Sequence, residues 1–455
     1  MDEFDLVIVG GGSGNTIPDE RFDDWSIGFV ERDLVGGTCL NRGCVPSKMF
    51  VHAADIASTM KHGERFGVHG TFERADWPAI RDRVFAHRID PAVADGERYR
   101  ASRPNTTYFK GSASFVDGTT LEVNDQRIRG RKLVLAAGSR PFVPDLPGLA
   151  DVPHLTSDTI MRLDDLPERL MILGGGVIAA EMAHVFDGLG AQVTIVMRGS
   201  HMLGGEDEEV QEVFTAIARE RFDVLTHARD LSFASSGDGF DVRGTHGADG
   251  ASFARSADLL LVATGRVPNS DQLRTDIAGI ETDEMGRVIV NERLETNVPD
   301  VLAFGDLTAH HPLKHLANAE AKVVAHNLLH PDDPHTVDRQ HHPRAVFGSP
   351  QVAAVGMTED ELRGEHVPHL VGRYAYGSTA YGWAIEDTTS FAKVLVSPAT
   401  GLLLGAHIVG PHASTLIQPL IQAMTLRTTA QQVAEIMYIH PALSEVVENA
   451  LLAAR

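Results

Sequence analysis

The chain has two thiols, Cys39 and Cys44, and both fall within Gly36-Gly37-Thr38-Cys39-Leu40-Asn41-Arg42-Gly43-Cys44-Val45-Pro46-Ser47-Lys48. Pro46 suits the first turn of a helix, where its fixed φ and missing N–H cost nothing. A helix starting near Cys44 sets positions 44 and 48 one turn apart, so a thiol and an ammonium group share a face. A helix N-terminus and a nearby cation both favour the thiolate, the form that attacks disulfides. A structural disulfide needs neither. Cys-x4-Cys alone supplies too few ligands for a metal, and although some of the 22 histidines could complete a set, no metal is expected.

Reactive thiols need elements to hold them. Leu6-Val7-Ile8-Val9 reads as an apolar strand running into Gly10-Gly11-Gly12-Ser13-Gly14, and Leu170-Met171-Ile172-Leu173 into Gly174-Gly175-Gly176 repeats the plan. One Gly-rich turn is weak evidence, but two on the same plan predict two nucleotide-binding units. In the first, the next apolar run (Ile27 to Val30) ends on Glu31, where a carboxylate would bond a ribose hydroxyl. In the second, the run from Val193 to Val196 ends on Met197-Arg198, where an arginine would face a 2′-phosphate, which favours NADP over NAD. The bland alternative makes Arg198 a solvated surface charge.

Further strands are expected at Leu133 to Gly138, Leu259 to Gly265 and Val301 to Asp306. From about Asp338 polar and apolar residues alternate, and helices follow from about Ser414 to Met424 and from Ala442 onward, which predicts a separate α+β domain.

Composition limits the partners. The 455 residues suit two to four domains, and 43% hydrophobic with 22% charged residues describes a compact chain. Forty basic against 62 acidic side chains give −22, a charge that repels nucleic acid and anionic membranes. No apolar stretch approaches a membrane span and no basic n-region precedes the first strand, so a cytoplasmic protein is expected.

Gly-Gly-Thr-Cys-x4-Cys-x-Pro-Ser-Lys resembles the redox motif of the pyridine nucleotide-disulfide oxidoreductases, and the resemblance extends from Gly10 to His440-Pro441-Ala442-Leu443-Ser444-Glu445. It implies two Rossmann-like domains, for FAD (residues 1–155 and 276–337) and NADPH (156–275), and a C-terminal α+β dimerisation domain (338–455). It also implies that Cys44 lies against the flavin as the charge-transfer thiolate, that Cys39 attacks the substrate disulfide, and that Lys48 pairs with Glu181 beside the reactive flavin nitrogen. The cofactor contacts it implies are Gly10, Gly12, Ser13, Gly14, Glu31, Gly37, Thr38, Lys48, Gly138, Asp306 and Ala317 for FAD, and Gly174, Gly176, Ile178, Arg198 and Gly265 for NADPH.

His440 has a chemical case of its own, since release of a thiol needs a proton donor that titrates near neutrality. Glu445 would orient it. In the family this pair comes from the partner subunit, which implies a homodimer.

Two departures stand out. The third glycine of the first fingerprint is Asn15 and Pro18 follows, so a short or distorted first helix is expected. Ala179 takes the equivalent place in the second unit, a substitution the pattern accepts.

For the substrate, Glu20 stands where glutathione reductases carry a carboxylate-binding arginine. Met197-Arg198 replaces the acidic strand end of lipoamide dehydrogenases, and the extra cysteines of mercuric and large thioredoxin reductases are missing. Ser13 to Arg21, Leu313 to Asn318 and His440 to Leu452 resemble the branch whose substrate is the disulfide of a cysteinyl aminosugar-inositol conjugate. A lipoamide dehydrogenase or a glutathione-type reductase is the alternative. A docking subunit of a multienzyme assembly is disfavoured by the lack of a lipoyl-like segment or Pro/Ala-rich linker.

Overall fold

The computed structural model describes residues 1–338 and 341–454, so Arg339, Gln340 and the expected terminal boundary at Arg455 lie outside the described residues. The apolar runs become parallel strands covered on both faces, where a continuous rather than alternating pattern belongs. In the first sheet β1 (Asp2–Val9) lies between β2 (Ile27–Glu31) and β3 (Gln126–Leu135). Thr106–Lys110 pairs in parallel beyond β2, and Val301–Ala303 joins β3. Val9 is in register with both Val30 and Leu135, so the three strands end together at one edge of the sheet.

The second sheet repeats that order. β4 (Arg169–Leu173) lies between β5 (Gln192–Val196) and β6 (Leu259–Val262), with Asp223–Leu225 beyond β5 and His154–Thr156 beyond β6, all parallel. The two Gly-rich turns are built alike. Gly10 has φ +111°, and a Cβ there would stand 2.2 Å from the carbonyl oxygen of Ala136; Gly174 has φ +130°, with the same 2.2 Å to the carbonyl oxygen of Ala263. Each first glycine is therefore fixed by a close crossing of backbones that no side chain permits.

Helix α1 (Gly37–Arg42) and helix α2 (Cys44–His62) follow the first unit's second strand. Helix α3 (Val177–Leu189) follows the second Gly-rich turn, and its Gly188 meets Ala54 of α2 so closely that a Cβ would lie 2.8 Å from that methyl. Phe50, Trp77 and Phe186 pack between the two units with ring centroids 5.0 and 5.2 Å apart. Helix α4 (Lys314–Leu329) returns to the first sheet.

The expected distortion of the first helix is present: two short 3-10 turns, Ser13–Thr16 and Glu20–Phe22, stand in place of a helix. Arg100, buried behind them, supplies the missing order. It donates to the Asn15 side-chain oxygen (3.1 and 2.8 Å), the Asn15 carbonyl (2.8 Å) and the Pro18 carbonyl (3.2 Å). Backbone acceptors that a helix would have satisfied are satisfied by one guanidinium.

The C-terminal part is a five-stranded antiparallel sheet in the order Arg344–Val346, Val352–Gly356, Leu403–Val409, Phe391–Val396, Leu370–Ala375. The expected helix near Ser414 to Met424 is two pieces, Ala413–Leu416 and Gln418–Thr425. The last helix, α5 (Glu445–Ala453), starts later than expected because residues 440–444 form a turn held by Glu445. Three antiparallel strands, Arg229–Ser236, Gly239–His246 and Ala251–Ala257, form a further sheet. Among the described residues no helix is long and apolar enough to cross a membrane.

Candidate active site

Gly36 and Gly37 turn the chain into α1 with φ +98° and +60°, and a Cβ on Gly37 would lie 2.7 Å from the Cα of Gly12. The two glycine motifs thus interlock, which brings the thiol segment against the first Gly-rich turn. Asn41 donates to the carbonyls of Leu34, Val35 and Gly37 and fixes the approach. Cys44 is the first residue of α2, and Gly43 precedes it without a capping side chain.

Both cysteines are free thiols, hydrogen-bonded to each other. The hydrogen bond from Cys44, helped by the charge of Lys314 and opposed by burial, brings Cys39 down to about 7. Cys44 moves the other way, raised by its hydrogen bond to Cys39, by burial and by the charge of Cys39. Cys39 is thus the thiol that is lowered and Cys44 the one that is raised.

Lys48 meets Glu181 of α3 at 2.6 Å and lies 4.2 Å over the ring of Phe347. The other Glu181 oxygen accepts from the Phe347 amide at 3.0 Å. An ion pair expected only from resemblance is therefore a bridge from the first nucleotide unit, through the second, to the C-terminal sheet.

Most of the first unit's expected contacts gather at the carboxyl ends of its strands, where open α/β sheets bind ligands. The Gly11 amide donates to Glu31 at 2.6 Å, which locks the turn to the strand end. Ser13 donates to Asn318 (3.0 Å) and accepts from Lys314 (2.9 Å), tying the turn to the α4 stretch that contains buried Ala317. Asp306 accepts from Ser139, next to Gly138, at 2.7 Å, and Arg266, next to Gly265, donates to Ser139 at 2.8 Å. Gly14 packs against Ala136, and Thr38 is exposed in the first turn of α1.

In the second unit Gly176 caps α3, Ile178 is half-buried in its first turn, and Gly265 lies in the turn after β6 with φ +125°. Gly175 faces Met197 as Gly11 faces Glu31, so a thioether replaces the carboxylate. Arg198 follows, exposed and without an ion pair among the described residues.

His440 and Glu445 form a second centre. The His440 Nδ1 is 2.7 Å from a Glu445 oxygen, and the other oxygen accepts from the Ala442 amide at 3.0 Å. The hydrogen bond to His440, then that from Ala442, holds the Glu445 carboxyl below its usual range. His440 makes no hydrogen bond to either thiol of its own chain among the described residues, and Met437 and Ile439 beside it are 97% and 76% exposed. Glu20 is exposed, while its neighbours Asp19 and Arg21 pair with each other.

Sequence reasoning assigned no role to Lys314, Phe347, Ser139 or Arg266. The last two had a signal in the Arg and Pro that follow both strand ends, Ser139-Arg140-Pro141 and Arg266-Val267-Pro268, which pair as antiparallel strands.

A Cβ on Gly12 would meet nothing nearer than the Gly37 Cα at 3.8 Å, and the buried Glu31 carboxylate stands at the neighbouring strand end, an arrangement that fits a dinucleotide such as FAD. The model of the family described as pyridine nucleotide-disulphide oxidoreductase matches residues 4–322, and that of the family's dimerisation domain matches 342–451. The chain is 44% identical over 466 residues to mycothione reductase of Mycobacterium tuberculosis, covering 100% of both chains. It is 32% identical to dihydrolipoyl dehydrogenase of Chlamydia pneumoniae, covering 99% of this chain and 97% of that one. Among solved structures, the HOCl-induced flavoprotein disulfide reductase RclA from Escherichia coli superposes with a TM-score of 0.85 at 26% identity, over 99% of this chain and 100% of that one. A Cu(II) complex of a Cys-to-Ser variant of the same protein gives 0.87 at 26% identity over 100% of both chains. The chain belongs to the pyridine nucleotide-disulphide oxidoreductases, as an NAD(P)H-dependent flavoprotein disulfide reductase that uses FAD and carries the family's dimerisation domain.

Proposed function

We propose that the protein is an NADPH-dependent mycothione reductase of the cytoplasm, acting as a homodimer that converts mycothione to two molecules of mycothiol. The observation that carries the substrate is the 44% identity over full length to a mycothione reductase, against 32% to a dihydrolipoyl dehydrogenase. Met197-Arg198 at the end of β5 supports NADPH, because a carboxylate there would repel a 2′-phosphate and a guanidinium binds it. Residues 1–155 and 276–337 hold FAD, 156–275 hold NADPH and 338–455 form the dimer contact.

FAD, when bound, carries two electrons from the nicotinamide to the Cys39–Cys44 disulfide. Gly10, Gly12, Ser13, Gly14, Glu31, Gly37, Thr38, Lys48, Gly138, Asp306 and Ala317 would hold it; Gly174, Gly176, Ile178, Arg198 and Gly265 would hold the nicotinamide dinucleotide. Lys48, held at 2.6 Å by Glu181, sets its ammonium group near Cys44, where it favours the thiolate. In the dithiol state the Cys39 thiolate attacks one sulfur of the substrate and forms a mixed disulfide. The departing thiolate takes a proton from the partner subunit's His440, which Glu445 orients and keeps charged. Cys44 then gives its proton to the partner's His440 and attacks Cys39, the second departing thiolate takes that proton from the partner's His440, and the Cys39–Cys44 disulfide is restored. One NADPH and one proton are consumed for each disulfide reduced.

The deciding experiment compares kcat/KM for mycothione, glutathione disulfide and lipoamide, each with NADPH and NADH at one ionic strength. Mycothione with NADPH is expected to be the best pair. A higher value with lipoamide or glutathione disulfide rejects the substrate and leaves the thiol chemistry standing.

A further inference from the structure

The far end of α4 carries a second concentration of reactive side chains in His326-Asn327-Leu328-Leu329-His330-Pro331-Asp332-Asp333-Pro334-His335. One ring nitrogen each of His326 and His335 and one oxygen of Asp333 lie within 4.8 Å of one another. Tetrahedral ligands about 2.1 Å from a shared ion stand about 3.4 Å apart, so the set closes around a cation when its side chains rotate and the parallel His326 and His335 rings, stacked at 10°, tilt out of register. The His330 ring is 4.7 Å from that of His326, and the His326 and His335 rings stack at 3.5 Å.

The backbone holds the cluster in place. The His330 amide donates to the His326 carbonyl at 2.8 Å and the Asp333 amide to the His330 carbonyl at 3.1 Å. Asn327 grips His335 twice, accepting from its amide at 2.8 Å and donating to its carbonyl at 3.1 Å. His326 Nε2 stands 2.9 Å from the Asp333 carbonyl oxygen. That oxygen only accepts, so Nε2 carries the proton and Nδ1 presents a lone pair. An imidazole whose second nitrogen donates to a carbonyl is the arrangement found in metal-ligating histidines. The pull of a helix C-terminus on imidazoles would account for His326 and His330, but not for the convergence of Asp333 and His335 from the loop.

We propose that His326, Asp333 and His335 bind a divalent cation of the zinc class. Two imidazoles and one carboxylate suit Zn(II), Ni(II) or Cu(II), whereas Ca(II) and Mg(II) need oxygen-rich sets. This departs from the expectation of no metal, which was weighed at the thiols. α4 runs 16 residues from Lys314, about 24 Å, so the site is remote from Cys39. Its ion clamps the end of α4 to the segment that leads into the C-terminal sheet, a stabilising rather than a chemical role.

The test uses untagged, chelator-treated holoenzyme with the Cys39–Cys44 disulfide formed, so that the thiols cannot bind metal. Calorimetric titration with zinc chloride is expected to give a single saturable site per chain with Kd on the order of micromolar, and zinc should raise Tm as binding to the native state requires. In His326→Gln/His335→Gln the site should weaken roughly ten-fold or more and the Tm increase should vanish. His335→Gln alone, an exposed loop change, serves if the double variant folds poorly. Equal isotherms for wild type and variant, or no saturable binding, overturn the proposal.

Discussion

The two thiols differ in how readily they ionise. Cys39 is brought to about 7, first by the hydrogen bond from Cys44 and then by Lys314, while Cys44 is raised. In the reduced holoenzyme the rate of alkylation of Cys39 by iodoacetamide should therefore rise with pH through a midpoint near 7, since only the thiolate reacts. Cys44→Ala removes the largest cause, and Lys314→Ala the electrostatic one, so each should move the midpoint upward. A midpoint that ignores both changes would place the reactive thiolate elsewhere. Arg198 belongs to the same scale. Its contact with a 2′-phosphate should contribute roughly 1.5–3 kcal/mol, about one to two powers of ten in kcat/KM. Arg198→Glu should reverse the NADPH/NADH preference; an unchanged ratio would make Arg198 a solvated charge.

At the level of elements, the duplicated turn allows the two nucleotide sites to be disabled separately. A Cβ on Gly10 or Gly174 meets a carbonyl oxygen at 2.2 Å at positive φ, a conflict that costs at least about 1–3 kcal/mol. Gly10→Ala should be purified with most of its FAD absorbance lost. Gly174→Ala should keep its flavin and show a raised KM for NADPH. Equal flavin loss in both would mean that the turns are structural only. The strands and both turns were legible in the sequence because strand, Gly-rich turn and strand-end residue follow one another within about thirty positions. The distorted first helix was also legible, from Asn15 and Pro18, but its cause was not: Arg100 reaches Asn15 through space, from a helix with no local signal. The sheet of Arg229 to Ala257 was missed because its two outer strands are mostly exposed and polar and its middle strand carries only Phe240 and Val242 buried, without an apolar run to mark them. Lys48 and Glu181 were paired by resemblance alone; the packing of Gly188 on Ala54 is what brings their helices together.

The molecule as a whole poses the question of where His440 acts. It bonds to Glu445, makes no hydrogen bond to the thiols of its own chain among the described residues, and sits beside Met437 and Ile439, which a single chain leaves exposed. Exposed apolar side chains beside the His440–Glu445 pair, on a domain whose family model is one of dimerisation, are best explained by a second copy that covers them. Subunit mixing tests this directly. Homodimers of Cys39→Ser lack the nucleophile, and homodimers of His440→Gln lack the acid, so both should reduce disulfide poorly, slowed by a factor of about 10² or more. A hybrid of the two, made by co-expression with different affinity tags, contains one site with both an intact Cys39 and an intact His440 only if these residues come from opposite chains. The hybrid should then recover one working site per dimer, and flavin reduction by NADPH should be normal in all three species. If His440 served its own chain, every site of the hybrid would lack one group, and its turnover would stay at the level of the parents.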